Sequence, residues 1–160
     1  MKIFEPLFIV INPLIGLILR SPLHPLLSGS LTLITYTGRK SQKEFTTPVR
    51  YVRANGTIRC FTSPDTLWWR NLRGGAEVTL RIRGKDVKCL ATTVENDPQR
   101  AREALDHYLA LFPQDAAYYD IARNQDKSLV VTDLESAAKN VIVVEATPVK
   151  DIFNSGDRSI

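Results

Sequence analysis

Residues 47–62, "TPVRYVRANGTIRCFT", decide the fold. Two runs of β-branched and aromatic residues flank Asn55-Gly56, a pair suited to the two left-handed positions of a type I′ turn, so the stretch reads as a two-residue β-hairpin. In the second arm Ile58 and Cys60 share one face while Arg59 and Phe61 share the other, and one of these faces must lie against a core. Working outward, "LTLITYT" (31–37) reads as a strand, and "AEVTLRIR" (76–83) alternates strictly, with Val78, Leu80 and Ile82 opposite Glu77, Thr79, Arg81 and Arg83. Such alternation describes a sheet with one wet face and one dry face. Gly84-Lys85 is expected to close another tight hairpin into "DVKCLATTV" (86–94), and "SLVVTDL" (128–134) and "NVIVVEATPV" (140–149) read as the last strands.

Helices fall between the strands. In "SPDTLWWRNLRGG" (63–75) Ser63 can cap, Pro64 can take the first helical position and Gly74 or Gly75 can terminate, which predicts a helix of about two turns. Asp97-Pro98 opens a helix whose Ala101, Ala104, Leu105, Tyr108, Leu109 and Phe112 follow the i, i+3, i+4, i+7 spacing of a packed face. His107 falls off that stripe and is expected in solvent. "DAAYYDIAR" (115–123) is a further helical piece. Six or seven strands joined mainly by hairpins predict a mainly β protein, an antiparallel β-barrel decorated by peripheral helices.

A chain of 160 residues, 44% apolar and 24% charged, supports one folded domain rather than disorder. It divides into an apolar helical segment and loop (1–27), a barrel domain (28–150) and a tail (151–160). The opening "MKIFEPLFIVINPLIGLILR" is interrupted by Glu5, Pro6 and Pro13, whereas a membrane-spanning helix needs about 20 uninterrupted apolar residues. No small-residue cleavage site follows it, so the expected location is cytoplasmic. The segment reads as a helix packed on the domain; a flap over a ligand, or a peripheral foot on a membrane flanked by Lys2 and Arg20, is the second reading. His24, between two prolines, reads as a loop residue.

A net charge of +4 favours anionic partners, a small phosphorylated ligand among them. Arg50, Arg53, Arg59, Arg81 and Arg83 alternate along strands in the manner of a solvated sheet face, so nucleic acid is not the expected partner. Cys60 and Cys89 lack a CxxC spacing and read as buried thiols. The chain has no nucleophile elbow, HExxH, EF-hand loop or His-centred triad, so neither hydrolytic chemistry nor a metal has a candidate set.

What remains is "TYTGRKSQKEFTTP" (35–48), where Gly38 allows a sharp turn, Arg39, Lys40 and Lys43 bring charge, and Ser41 a hydroxyl. A guanidinium, an ammonium and backbone donors together suit a phosphate, although an ordinary solvated turn has the same composition. Trp68 and Trp69, adjacent in a short helix, point in different directions, so one can pack inward while the other walls a ring-shaped ligand. Tyr118 and Tyr119 invite the same division. With an anion cradle, aromatic walls and no general base, reactivity borrowed from a redox cofactor fits.

The series "LTLITYTGRKSQKEFTTPVRYV", "LWWRNLRGGAEVTLRIRG" and "LFPQDAAYYDIA" resembles the deazaflavin-dependent nitroreductase family over about Ser28 to Val149. The resemblance implies a split β-barrel related to flavin reductases, with an N-terminal helix. It implies coenzyme F420, whose phosphate and tail Gly38, Arg39, Lys40 and Ser41 would hold, while Thr47 and Pro48 shape the adjacent strand. Trp69 and Asn71 would lie beside the cofactor and Tyr118 or Tyr119 would face a small hydrophobic substrate, an activated alkene, quinone or nitro compound that receives hydride. A split barrel that binds flavin mononucleotide (FMN), haem or a fatty acid without turnover is the alternative, with FMN the alternative cofactor; the family resemblance allows monomer or homodimer. Three residues depart from the family pattern. Gln42 stands where Gly is common, Glu44 where Pro is common and Phe45 where a basic residue is usual, so the turn carries one cation fewer and one anion more.

Overall fold

In a computed structural model that describes residues 31–149, six strands form one closed antiparallel barrel: β1 (Leu31–Thr37), β2 (Glu44–Ala54), β3 (Thr57–Thr62), β4 (Ala76–Ile82), β5 (Lys85–Val94) and β6 (Ile142–Pro148). The expected N-terminal helix and loop, the beginning of the barrel domain at 28–30 and the tail at 151–160 lie outside the described residues. The order around the barrel is β1-β2-β3-β6-β5-β4. Thus β6, last in sequence, enters between the β1-β2-β3 meander and the β4-β5 hairpin. The seam between β1 and β4 is narrow, pairing Ile34 with Leu80 and Thr35 with Thr79. Beyond it the buried Thr32 hydroxyl donates to the Arg81 carbonyl at 2.6 Å, so a side chain satisfies a backbone acceptor where the strands diverge.

The β2-β3 hairpin is the one read from the sequence: Asn55 and Gly56 both have positive φ (51° and 78°), and Ala54 pairs with Thr57. The next hairpin turns one residue earlier than expected. Its corner is Arg83-Gly84 (φ 48° and 78°), and Lys85 already pairs with Ile82. The type I′ geometry there requires positive φ at both positions, and Arg83 accepts the strained place that the sequence suggested for glycine.

Alternation along the strands builds two cores. Inward-facing Ile34, Val49, Ile58, Leu80, Ala91 and Val144 pack with Cys60 and Cys89 inside the barrel. Neither cysteine forms a disulfide among the described residues, both thiols are buried, and burial pushes that of Cys60 far up. Outward-facing Val52, Phe61, Val94 and Val143 meet a helical layer. That layer holds α1 (Pro98–Leu111), a 3-10 helix (Pro113–Tyr119) and α2 (Val131–Lys139). Asp97 caps α1 by accepting from the Arg100 N–H at 3.0 Å, and Ala101, Ala104, Leu105, Tyr108 and Leu109 form its buried stripe. His107 is half-buried at the edge of that stripe rather than in free solvent.

α2 corrects the strand expected at "SLVVTDL". Only Leu129 makes a β-bridge, with Arg123; Val130 caps the helix, and Leu134, Ala137 and Ala138 supply a helical stripe buried under the layer. The β-branched pair Val130-Val131 suggested a strand, but the burial available to the i, i+3, i+4 stripe overrides local propensity. The barrel therefore has six strands. The helix expected at 63–75 is shorter and later, a 3-10 helix over Trp68–Leu72. Ser63 and Pro64 belong instead to a turn in which Thr66 N–H donates to the Ser63 carbonyl at 3.1 Å. Gly74 and Gly75 end the helix with φ of 77° and 98°.

Candidate functional site

Antiparallel topology brings the end of β1, the start of β2, the end of β3 and the start of β4 to the same end of the barrel. The TGRKS turn and the tryptophan helix, 30 residues apart in sequence, therefore meet there. Asn71 joins them. Its Oδ1 accepts from the Arg39 backbone N–H at 2.9 Å, its carbonyl accepts from Arg39 Nε at 3.1 Å, and its Nδ2 donates to the Trp68 carbonyl at 2.9 Å.

Inside the turn, Gly38 N–H donates to the Lys43 carbonyl at 2.8 Å and Gln42 N–H to the Gly38 carbonyl at 2.9 Å. Ser41 Oγ accepts from Lys43 N–H at 3.2 Å. Gly38 sits at a close approach: a Cβ there would stand 2.7 Å from Ser41 Oγ and 2.9 Å from the Phe45 ring, so both side chains would have to shift to admit one. Gln42, which stands in place of a common glycine, does adopt φ of 57°, and its Nε2 donates to the Arg39 carbonyl at 2.8 Å. A local side-chain hydrogen bond thus compensates a backbone conformation that costs an L-residue about 1 kcal/mol. Arg39, Lys40 and Lys43 are all exposed, and none has a carboxylate partner among the described residues.

The aromatic surface beside this turn comes from Trp68, not its neighbour. Trp68 is half-buried, its Nε1 donates to Thr62 Oγ1 at 3.2 Å, and its ring lies 5.9 Å from that of Tyr36, which stacks on Phe45 at 5.7 Å. Phe45 thus extends a row of three rings. Trp69 instead fills the barrel core at 4% exposure, with Arg73 and Arg70 over its ring at 4.7 and 5.5 Å. Sequence alone could not choose between the adjacent tryptophans. Thr47 pairs with Ile34 and Pro48 with Leu33. β3 joins β2 only from Arg50 onward, so the missing N–H of Pro48 costs no bond on that side and the outer ledge of β2 stays open toward the turn. Next to this ledge a groove of about 450 Å³ is lined by Leu33, Thr35, Glu44, Thr46, Thr79, Arg81 and Asp86.

A second polar cluster, which the sequence reading did not find, lies farther along β2. Arg50 Nη1 donates to Asp115 Oδ2 at 2.6 Å and to Tyr108 OH at 3.2 Å, and Tyr108 OH donates to the same carboxylate oxygen at 2.5 Å. Burial opposes the guanidinium charge, yet Tyr108 and Asp115 outweigh it and hold Arg50 above its ordinary range. Tyr118 covers the guanidinium at 5.4 Å, and Tyr119 meets Tyr118 edge-on at 5.1 Å. Tyr118 is exposed, while burial pushes the Tyr119 and Tyr108 phenols upward, so neither acts as a base at neutral pH. No signal in the chain links positions 50 and 115; only the fold does. Of the other strand arginines, Arg59 pairs with Glu145 and Arg81 with Asp86, at 3.4 and 3.0 Å. No cluster of metal-ligating groups occurs among the described residues, and no helix among them is long and apolar enough to cross a membrane.

The sequence from 22 to 136 matches the family model of the F420H(2)-dependent quinone reductases. The chain belongs to this family. Membership makes it an oxidoreductase that works with coenzyme F420, and its barrel is the fold expected of that class. No curated protein matches the sequence. Among solved structures, an F420-H2-dependent reductase is 18% identical over 72% of this chain and 93% of its own, with a TM-score of 0.45. A FAD- and haem-binding protein from Mycobacterium smegmatis is 15% identical over 81% of this chain and 67% of its own, with a TM-score of 0.46. A domain-swapped dimer is 20% identical over 72% of this chain and 79% of its own, also at 0.46.

The barrel end fits a group of this kind. Three exposed cations without acidic partners among the described residues suit a phosphate and carboxylates, and the aromatic row beside them, half-buried at Tyr36 and Trp68 and exposed at Phe45, suits a planar ring.

Proposed function

We propose that the chain reduces a small hydrophobic acceptor, a quinone, activated alkene or nitro compound, with its anionic cofactor held at the TGRKS turn. The observation that carries this reading is the threefold engagement of Asn71, which locks the cation-bearing turn to the aromatic helix so that Arg39 is pre-set rather than mobile. Arg39 and Lys40 hold the phosphate side, and the Gly38 turn and the Ser41 hydroxyl shape the cradle. Trp68 takes the ring-facing part first given to Trp69, which serves the core. Thr47 and Pro48 keep the ledge of β2 open. Tyr118 faces the acceptor and Tyr119 backs it.

When bound, F420H2 supplies two electrons and a proton as hydride. The protein contributes position: it sets two rings against each other and excludes water from one side. From Glu44 to Arg50 the strand rises about 20 Å, the reach that an elongated molecule with its anion at one end and its ring toward the other must cover.

Replacing Arg39 and Lys40 together by alanine tests the reading. Fluorescence titration with F420 should show affinity falling at least about 100-fold, two charge-assisted contacts at roughly 1.5 kcal/mol each, while circular dichroism and melting stay those of the parent. F420 affinity unchanged in the double variant, or a parent protein that prefers FMN, overturns it.

A further inference from the structure

The Arg50 cluster has no task in the proposed binding of the cofactor. Its construction is unusual for a surface arginine. Three elements supply it: β2 gives Arg50, α1 gives Tyr108, which is fully buried, and the 3-10 helix gives Asp115. Tyr108 and Asp115 both engage Nη1, leaving Nη2 and Nε without a protein partner among the described residues. The side chain is 32% exposed and its flat face lies under the exposed Tyr118 ring. A guanidinium pinned at one nitrogen, stacked on one face and open at the other nitrogens is a pre-oriented donor pair. Its charge is already balanced by Asp115, so a full carboxylate gains little there, whereas the oxygen of a carbonyl or nitro group meets two N–H dipoles at no desolvation cost for a second anion.

We propose that Arg50 is a catalytic residue that receives the oxygen of the reducible group, selecting acceptors that end in C=O or N=O and meeting the charge that develops on that oxygen. This rests on the reading of the site given above. For an enone the β-carbon would gain a C–H bond from the hydride of F420H2, which is oxidised by two electrons; the C=C pair becomes the bond between the α-carbon and the carbonyl carbon, the C=O pair moves onto oxygen as an enolate beside Arg50, and water returns a proton to the α-carbon. Tyr108 and Asp115 are positioning residues that fix the guanidinium.

The test uses Arg50→Gln and Arg50→Lys with menadione and 2-cyclohexenone as acceptors. Glutamine should lower kcat about 100-fold, the worth of a donor to a developing oxyanion, with F420 affinity by fluorescence within about twofold of the parent. Lysine keeps a charge beside Asp115 and preserves folding but lacks the planar fork, and should still lose at least about 10-fold. A second readout needs no cofactor: quenching of protein fluorescence by menadione alone should weaken in both variants. If both variants melt as the parent does and keep kcat and menadione binding within about twofold, the proposal fails. If F420 affinity falls in parallel with turnover, it fails as well, because Arg50 then serves the cofactor. A parent that does not bind F420 sinks the reading of the site instead, and menadione quenching still decides the role of Arg50.

Discussion

The two ends of the ledge along β2 treat charge in opposite ways. At the barrel end, Arg39, Lys40 and Lys43 stand exposed with no carboxylate opposite among the described residues, and what order they have comes from Asn71 and the turn backbone. At the helical end, Arg50 is enclosed by its own Asp115 and Tyr108. The difference teaches where a ligand's charge is wanted. Unpaired surface cations can give an anion their whole charge, because no carboxylate of the protein already holds them, while a cation already paired inside the protein can offer only directed dipoles. On the proposed reading the barrel end would set affinity and the helical end would set fold and orientation.

Asp115→Ala is the strongest way to break this division. It leaves the half-buried Arg50 and the fully buried Tyr108 hydroxyl without their acceptor, and stability should fall by about 2 kcal/mol, a Tm shift of roughly 6 °C. F420 affinity should stay unchanged; a parallel loss of affinity would show that the two ends are one unit. Asn71→Ala should do the reverse, costing about 1 kcal/mol of stability and about 10-fold in F420 affinity, one contact's worth of lost orientation. Thermal melts and titrations on the same samples separate the two effects.

The smallest effect sharpens the comparison. Tyr108→Phe removes one buried hydroxyl and should cost about 1 kcal/mol at neutral pH. Because burial raises the folded-state pKa of Tyr108 and Tyr119 above the ordinary 10, their contribution is complete below pH 10 and is lost as pH rises through and beyond it. The parent should lose stability on the alkaline side, and the phenylalanine variant should show a shallower decline in melts run between neutral and alkaline pH. An identical slope would mean that Tyr108 does not titrate against folding.

How much of this was legible in the sequence depended on whether the deciding interaction was local. Asn55-Gly56 announced its own turn because both residues tolerate positive φ. Arg83-Gly84 did not, since arginine is a poor advertisement for a left-handed corner that strand register imposes. "SLVVTDL" misled because the burial that makes Val131–Lys139 a helix comes from the layer it packs into. The basic turn and the aromatic helix were readable in outline as contiguous motifs, but not the Asn71 contacts that join them. Which tryptophan faces out turned on a third of a turn of 3-10 helix, and Arg50 with Asp115 lie 65 residues apart with nothing in between to connect them.

The place of β6 in the barrel also sets an order of assembly. It pairs with β3 on one side and β5 on the other, so until residues 142–148 have arrived, the bare hydrogen-bonding edges of β3 and β5 must wait for the strand that seals them. A chain interrupted before Ile142 would expose both edges at once, the condition under which strands recruit strands from other molecules. The last strand of the described barrel is therefore its guard against aggregation during synthesis, as well as the wall between its two cores.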